Sequence, residues 1–419
     1  MKNSVYLDYA ASTPTDPRVL ETMQPYFWQR FGNAASPHSI GQRARKAVED
    51  SRSLVATFLG AKPTEIIFTS SATESNNHAI FSTAHSLKNK GNHLIVSAME
   101  HSSVLKPVDR LRTQGFEVSF IRPSPDGLID PTLVESLIRL DTILIAVHHA
   151  NNEIGVIEPV EQIGSIARAK GVYFLVDAAQ TVGHVPVNVG QMCCDFLSLS
   201  AHKFYGPLGA GALYVREGIA LDPLLLGGDQ ERGHRAATQN LPAIVGLAKA
   251  LELCQQSMIQ EGWEQSRLRD RITHEVLEYI DGALLNGHRQ QRLPNNIHFS
   301  FENVKGEELV AALDMAGIAV SQGSACTSGS LTPSHVLKAI GLSDTRALGS
   351  LRVSLGRWTT SKDIEYFLQQ LKLKIPQIQT SRDHLIRPSG SLTSCRAPLA
   401  KHSVRGRVTP DEKNSRGVK

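Results

Sequence analysis

The chain has 419 residues, of which 41% are hydrophobic and 20% charged, with 44 basic and 40 acidic side chains and a net charge of +4. This is the composition of a soluble globular protein, with length for one large domain and a smaller one. No segment reaches the ~20 apolar residues of a membrane span, and five cysteines without metal-ligand spacing argue against a disulfide framework or a zinc site.

The opening residues, MKNSVYLDYAAST, carry acids and no apolar signal core, which predicts a fold beginning near residue 4 in a cytoplasmic protein. Ile40, Ala44, Ala47, Val48, Leu54, Val55 and Phe58 form one helical stripe that Gly60 stops. EIIFT (65–69) reads as a buried strand with a helix from about Thr73, and HLIVS (93–97) as the next strand. A helix closed by Gly115, the strand EVSFI and a helix opened by Asp130-Pro131 follow. TILIAVHH, the helix EQIGSIARAKG, VYFLV (172–176), FLSLS (196–200) and ALYV (212–215) continue the alternation. Strands alternating with helices imply an α/β fold, with a mostly parallel sheet covered on both faces and ligands at the carboxyl ends of its strands.

Beyond a helix at 242–258 the texture changes. Helices near 262–280, 306–316, 333–340 and 361–374 alternate with short strands at 297–301 and 351–354, as in a smaller α+β domain. The domain limits read as an N-terminal segment (1–15) packing with the small domain, a large domain (16–260), a small domain (261–380) and a disordered tail (381–419). The tail holds nine basic and three acidic residues, a net of +6, so residues 1–380 carry −2 and the body has no basic excess with which to attract nucleic acid. The tail offers charge without aromatic stacking platforms, which favours a disordered extension over the competing reading of a nucleic-acid- or tRNA-binding module.

The chemistry-bearing positions fall where the strands end. In TSSATESNN (69–77), Ser71 and Thr73 at a helix start make an anion site, or equally a capping box with Glu74. His101 at a strand end suits stacking on a ring and moving protons, or a plain polar contact. Asn152 and Glu153 could orient a substrate or form a polar turn. Asp177 ends VYFLVDAAQ, where a carboxylate can pair with a protonated pyridine nitrogen or cap a helix. Lys203, after FLSLS and before GPLGAGA, suits a Schiff-base amine, with Ser200 and His202 as further phosphate donors. Cys326 sits in SQGSACTSGS, a small polar segment that fits an exposed reactive thiol; Cys193, Cys194 and Cys254 adjoin apolar runs and read as inert. Arg352 could clamp a carboxylate through two parallel hydrogen bonds or pair with a surface acid.

These motifs, in this order, resemble the cysteine desulfurases of the NifS/IscS type, fold-type I pyridoxal-phosphate enzymes of the class-V aminotransferase family. The match runs from VYLDYAASTPTDPRV to about residue 375 and includes FGNAASPHSIGQ, MEHSSVL, NNEIGV, SAHKFYGP, ERGHRAATQN, GSACTSGS and RVSLGRWTT. The resemblance implies a seven-stranded, mostly parallel sheet in the large domain and a homodimer. It implies that Lys203 forms the Schiff base with pyridoxal 5'-phosphate and that His101 stacks on the ring and handles protons. Asp177 would pair with the pyridinium nitrogen and Gln180 with the ring hydroxyl. Thr73, Ser200 and His202 would hold the phosphate, Ala72 would make a further cofactor contact, and Thr238 would reach the phosphate from the neighbouring subunit. Asn152 would contact cofactor and substrate, Arg352 would bind the substrate carboxylate, and Cys326 would take the sulfur of L-cysteine as a persulfide, releasing L-alanine. The implied acceptors are sulfur-acceptor proteins, either an iron–sulfur scaffold or tRNA- and DNA-thiolation enzymes. Gln230 stands where some relatives carry histidine, and the tail lacks the usual scaffold-docking sequence. The competing readings are a selenocysteine lyase or aminotransferase on the same scaffold, and a sulfur carrier that has lost catalysis.

Overall fold

The computed structural model describes residues 4–323 and 332–386. The large domain is built on a seven-stranded sheet of β2 (Ile66–Thr69), β3 (His93–Ser97), β4 (Glu117–Ile121), β5 (Thr142–His148), β6 (Tyr173–Asp177), β7 (Phe196–Ser200) and β8 (Gly211–Val215), following the short β1 (Val5–Tyr6). The strand order is β2-β8-β7-β6-β5-β3-β4, and only β8 runs against its neighbours. The mostly parallel sheet expected from strand–helix alternation is therefore present.

Successive residues of one strand face opposite sides, so each strand feeds two cores. Phe174 and Val176 of β6 join one apolar cluster, and Leu175 between them joins the other. The first cluster is closed by α1 (Pro17–Met23), α2 (Ser39–Leu59) and, later in the chain, by α6 (Val160–Lys170). The second is closed by α3 (Ala72–Ser86) and α4 (Ser102–Arg112), and α5 (Pro131–Leu137) lies before β5.

One difference from the sequence reading concerns α7 (Leu241–Tyr279), a single 39-residue helix where two helices flanking a boundary at 260/261 were expected. Its first part, through Cys254, packs in the large-domain core, and from Leu268 it packs in the small-domain core. The boundary thus lies inside a helix. Continuous hydrogen bonding carries the chain across it, and exposed Ile259 and Trp263 mark the stretch between the cores.

The small domain contains β9 (Leu284–Leu285), β10 (Asn296–Ser300), α8 (Gly306–Met315), β11 (Ile318–Ala319), α9 (His335–Ala339), α10 (Asp344–Leu348), β12 (Ser350–Ser354) and α11 (Ser361–Ile386). β10 is the centre of an antiparallel sheet between β12 and β9. The N-terminal segment crosses to this domain: β1 pairs in parallel with β11, and Val5 and Leu7 enter its core. Gly356 leaves room there for the Tyr9 ring, because a Cβ would lie 2.1 Å from it. α11 extends the helix expected at 361–374 to Ile386, six residues into the stretch expected as tail. Proline at 376 does not end it, since the apolar face of Phe367, Leu371 and Ile375 anchors the preceding turns. The remaining tail residues, 387–419, and Cys326 lie outside the described residues. Among the described residues no helix is long and apolar enough to cross a membrane.

Candidate active site

The carboxyl ends of the parallel strands meet the N-terminal segment and β12 around a cleft of about 210 Å³. Ten of the twelve predicted site residues line it: Ala72, Thr73, His101, Asn152, Asp177, Gln180, Ser200, His202, Lys203 and Arg352. Thr238 is exposed and lines no part of this cleft. The element order explains the convergence. His101 follows β3, Asn152 follows β5, Asp177 ends β6, Ser200 ends β7, and Lys203 closes the 3-10 turn after it.

Lys203 reaches back to the N-terminal segment, where its Nζ donates to the carbonyls of Ala10 (2.6 Å) and Ala11 (2.8 Å). Gln180 Nε2 donates to the same Ala10 carbonyl at 3.0 Å. The Ser12 hydroxyl lies 3.2 Å from His202 Nδ1. The backbone N–H and hydroxyl of Thr13 both donate to the His202 carbonyl at 2.9 Å. The YAAST stretch is thus a wall of the site, a role the sequence reading did not give it. Burial, with the Lys203 charge beside it, pushes the His202 imidazole down to about 4, so that ring is neutral at physiological pH.

Asp177 is buried with its carboxylate doubly held. Asn76 donates to Oδ2 at 2.7 Å, and the backbone N–H of Ala179 donates to Oδ1 at 3.0 Å. Asn76 also donates to the Ser103 hydroxyl at 2.9 Å, and that hydroxyl lies 2.9 Å from His101 Nδ1. The backbone N–H of Ser103 donates to the same Nδ1 at 3.1 Å, so the neutral ring carries its proton on Nε2. Burial lowers the His101 pKa despite the opposing Asp177 carboxylate. Asn76 and Ser103 were missed at the sequence level, although both lie inside quoted motifs, TSSATESNN and MEHSSVL.

At the start of α3 half of the expected capping box is present. The Ser71 hydroxyl accepts from Glu74 N at 3.2 Å, whereas the Glu74 carboxylate accepts from Ser70 N at 2.8 Å, one residue before the N-cap, so the reciprocal bond to Ser71 N is not made. Ser71, Ala72 and Thr73 line the cleft, so it lies at a helix start, the kind of place where free backbone N–H groups can seat an anion. Gly211 on β8 permits this approach, because a Cβ would lie 2.8 Å from Ser71 backbone atoms. On the opposite side Arg352 is almost fully buried and paired with Asp8 (2.8 Å), while also donating to the Asn152 carbonyl (2.8 Å). Its partner is therefore a residue of the N-terminal segment, not the surface acid allowed by sequence, and its Nε has no hydrogen-bond partner among the described residues.

The donor set suits a flat phosphorylated aldehyde. It offers an amine, an anion seat at a helix start with hydroxyls at Ser71, Thr73 and Ser200, a buried carboxylate and a neutral imidazole, all opening on one cleft. Of the cysteines, Cys194 and Cys254 are buried and burial raises both thiols, Cys254 to about 12, so neither supplies a thiolate near neutrality.

The sequence profile of the class-V aminotransferases matches residues 5–367. A relative from Dictyoglomus turgidum, named cysteine desulfurase IscS, is 48% identical over 380 residues, covering 91% of this chain and 96% of its own. A solved NifS-like protein superposes with a TM-score of 0.84 at 35% identity, covering 89% of this chain and all of its own. The solved structure described as SspA in complex with cysteine gives 0.75 at 38% identity, covering 85% of this chain and 100% of that one.

Proposed function

The chain belongs to the class-V aminotransferase family, and from that membership we propose that it is a pyridoxal-phosphate-dependent cysteine desulfurase. The observation that carries the reading is the single cleft onto which the Lys203 amine, the Asp177 carboxylate and the His101 imidazole all open. Bound pyridoxal phosphate would supply an electron sink for the bond-breaking steps on cysteine.

The residues divide the remaining work. Lys203 would hold the cofactor's aldehyde carbon through its amine and, once displaced by substrate, move the α-proton. Asp177, held by the Asn76 and Ala179 donors, would pair with the ring nitrogen, and Gln180 with the ring hydroxyl. Ala72, Thr73, Ser200 and His202 would hold the phosphate. Arg352 would take the substrate carboxylate beside Asn152, its guanidinium already fixed by Asp8. The Cys326 thiolate would attack the substrate sulfur. One S–S bond forms, the substrate's C–S bond breaks with its electron pair passing to the carbon side, and a proton taken up there completes L-alanine.

The same reading assigns a second copy of the chain as partner. Thr238 is exposed and does not line its own cleft; it lies in the connection from β8 to α7, where Leu226 is 84% exposed, a suitable place for a neighbouring subunit. Sulfur would pass from Cys326 to an acceptor protein, an iron–sulfur scaffold or a thiolation enzyme.

The test uses full-length protein with pyridoxal phosphate and L-cysteine. One alanine should appear per sulfur delivered to a thiol reductant, with a labelled persulfide on Cys326. Lys203→Ala should remove the absorbance band near ~420 nm and lower kcat by ~10²–10⁴-fold. A Cys326→Ala protein that still forms alanine and releases sulfide at the full rate would replace this reading with a lyase.

A further inference from the structure

At the wall of the cleft, which His148 helps to line, lies a buried charge cluster that the roles above do not use. Glu100, immediately before His101, is fully buried, and its Oε1 accepts from the backbone N–H of His148 (2.8 Å) and lies 2.7 Å from His148 Nδ1. His148 ends β5, and its Nε2 lies 3.7 Å from Glu158 Oε1. Glu100 is the bonded partner; the Glu158 oxygen at 3.7 Å is a second carboxylate facing the ring without a hydrogen bond to it, and the two together favour a positive charge on the imidazole. Burial opposes that charge, but Glu100 and then Glu158 outweigh it and hold His148 protonated, up to about 10. The neighbouring His149 is pushed the other way, to about 4, by burial and by the His148 charge.

The cluster grips the segment that presents His101. Asn151 Nδ2 donates to the Met99 carbonyl at 3.1 Å, and His335, which opens α9, has its Nε2 2.9 Å from the Glu100 carbonyl. Glu100 is thus tied through its side chain to the end of β5 and through its backbone to the small domain. The charged and titratable groups acting on His101 are Asp177, Lys203, Glu100 and His335; those on His148 are Glu100, Glu158 and His149.

We propose that Glu100, its side chain held at the end of β5 by His148 and its carbonyl by His335, is a positioning residue that fixes both the placement and the charge environment of His101. The proposal rests on the desulfurase reading for its kinetic consequence, while its electrostatic part stands on the protein alone. Removing either member removes the Glu100 charge. Glu100→Gln does so directly, and His148→Met does so because a buried carboxyl without a counter-charge takes up a proton near neutrality. Both changes lower the His101 pKa, and the pair behaves as one unit.

The experiment follows His101 by imidazole NMR titration in the full-length protein, alongside the pH profile of kcat/KM for L-cysteine. Glu100→Gln and His148→Met should each lower the His101 midpoint by about half a unit or more, and the double variant should lie no lower than either single one. In turnover, kcat should fall about tenfold to a hundredfold through misplacement of His101, with KM for cysteine within about twofold. The double variant removes the Glu100–His148 pair together and leaves Glu158 with its hydrogen bond from the Ile129 N–H, so it carries the test if His148→Met does not fold. An unchanged His101 midpoint in the variants, or fully additive shifts in the double one, would overturn the proposal. The wild-type turnover in the same assay separates that result from a failure of the desulfurase reading.

Discussion

Asp177 sits at the end of a strand buried on both faces, where an isolated carboxylate would be costly to ionise. Two hydrogen bonds, from Asn76 and from Ala179, offset that cost. The Asn76 bond also orients Ser103 and, through it, the His101 ring. Asn76→Ala should therefore act beyond its own contact. Losing a hydrogen bond to a charged group in a buried site is worth about 1.5–3 kcal/mol. The expected outcome is a melting temperature several degrees lower and weaker retention of pyridoxal phosphate, checked by thermal denaturation and by cofactor titration. Asn76→Asp, which places a second carboxylate against Asp177, should be worse than alanine in both measurements.

At the scale of elements, the anion seat depends on how closely α3 approaches the sheet. β8 alone runs antiparallel, which brings Gly211 opposite Thr69, at the exit of β2 toward α3. Gly211→Ala would set a Cβ 2.8 Å from Ser71 Cα, Ser71 C and the Leu199 carbonyl oxygen. Neither backbone can yield without shifting the helix start. The expected cost is about 1–3 kcal/mol, read as a lower denaturation midpoint, together with a weaker affinity for inorganic phosphate or pyridoxal phosphate. The long helix α7 makes the complementary point. One uninterrupted helix serves two cores, so a change near Leu268 should perturb the small domain without opening the first sheet cluster.

Across the whole molecule, Arg357 joins pieces far apart in sequence. It pairs with Asp16 (2.7 Å) before α1 and with Glu261 (2.7 Å) on α7, and it covers the Tyr205 ring at 4.2 Å. Arg357→Ala leaves Asp16 to Arg18 alone and should destabilise the protein by about 1.5–3 kcal/mol, the worth of a hydrogen bond to a charged group, measured by chemical denaturation. The pH dependence follows from the same groups. The Asp16 carboxyl is lowered chiefly by its hydrogen bond to Arg18, and Glu231 is lowered by Arg52 against the effect of burial. A depressed acid stabilises fully above its unfolded value, about 4, and that stability is lost as pH falls through the folded value. His148 is the raised case: its contribution is complete below about 6.5 and disappears as pH rises through about 10. Unfolding free energy should therefore peak between these limits, and Glu100→Gln should flatten the alkaline side. The strand–helix alternation and the motifs at strand ends were legible in sequence because period and turn chemistry are local properties. So were the Lys203, Asp177 and His101 positions, each a polar residue at or within a few residues of the end of an apolar run. The Asp8–Arg352 pair, the YAAST wall against Lys203, the imidazolium between Glu100 and Glu158, and the continuity of α7 were not. Each joins residues tens to hundreds of positions apart, or depends on which core claims a helical face, and only the folded chain brings those groups within hydrogen-bonding distance.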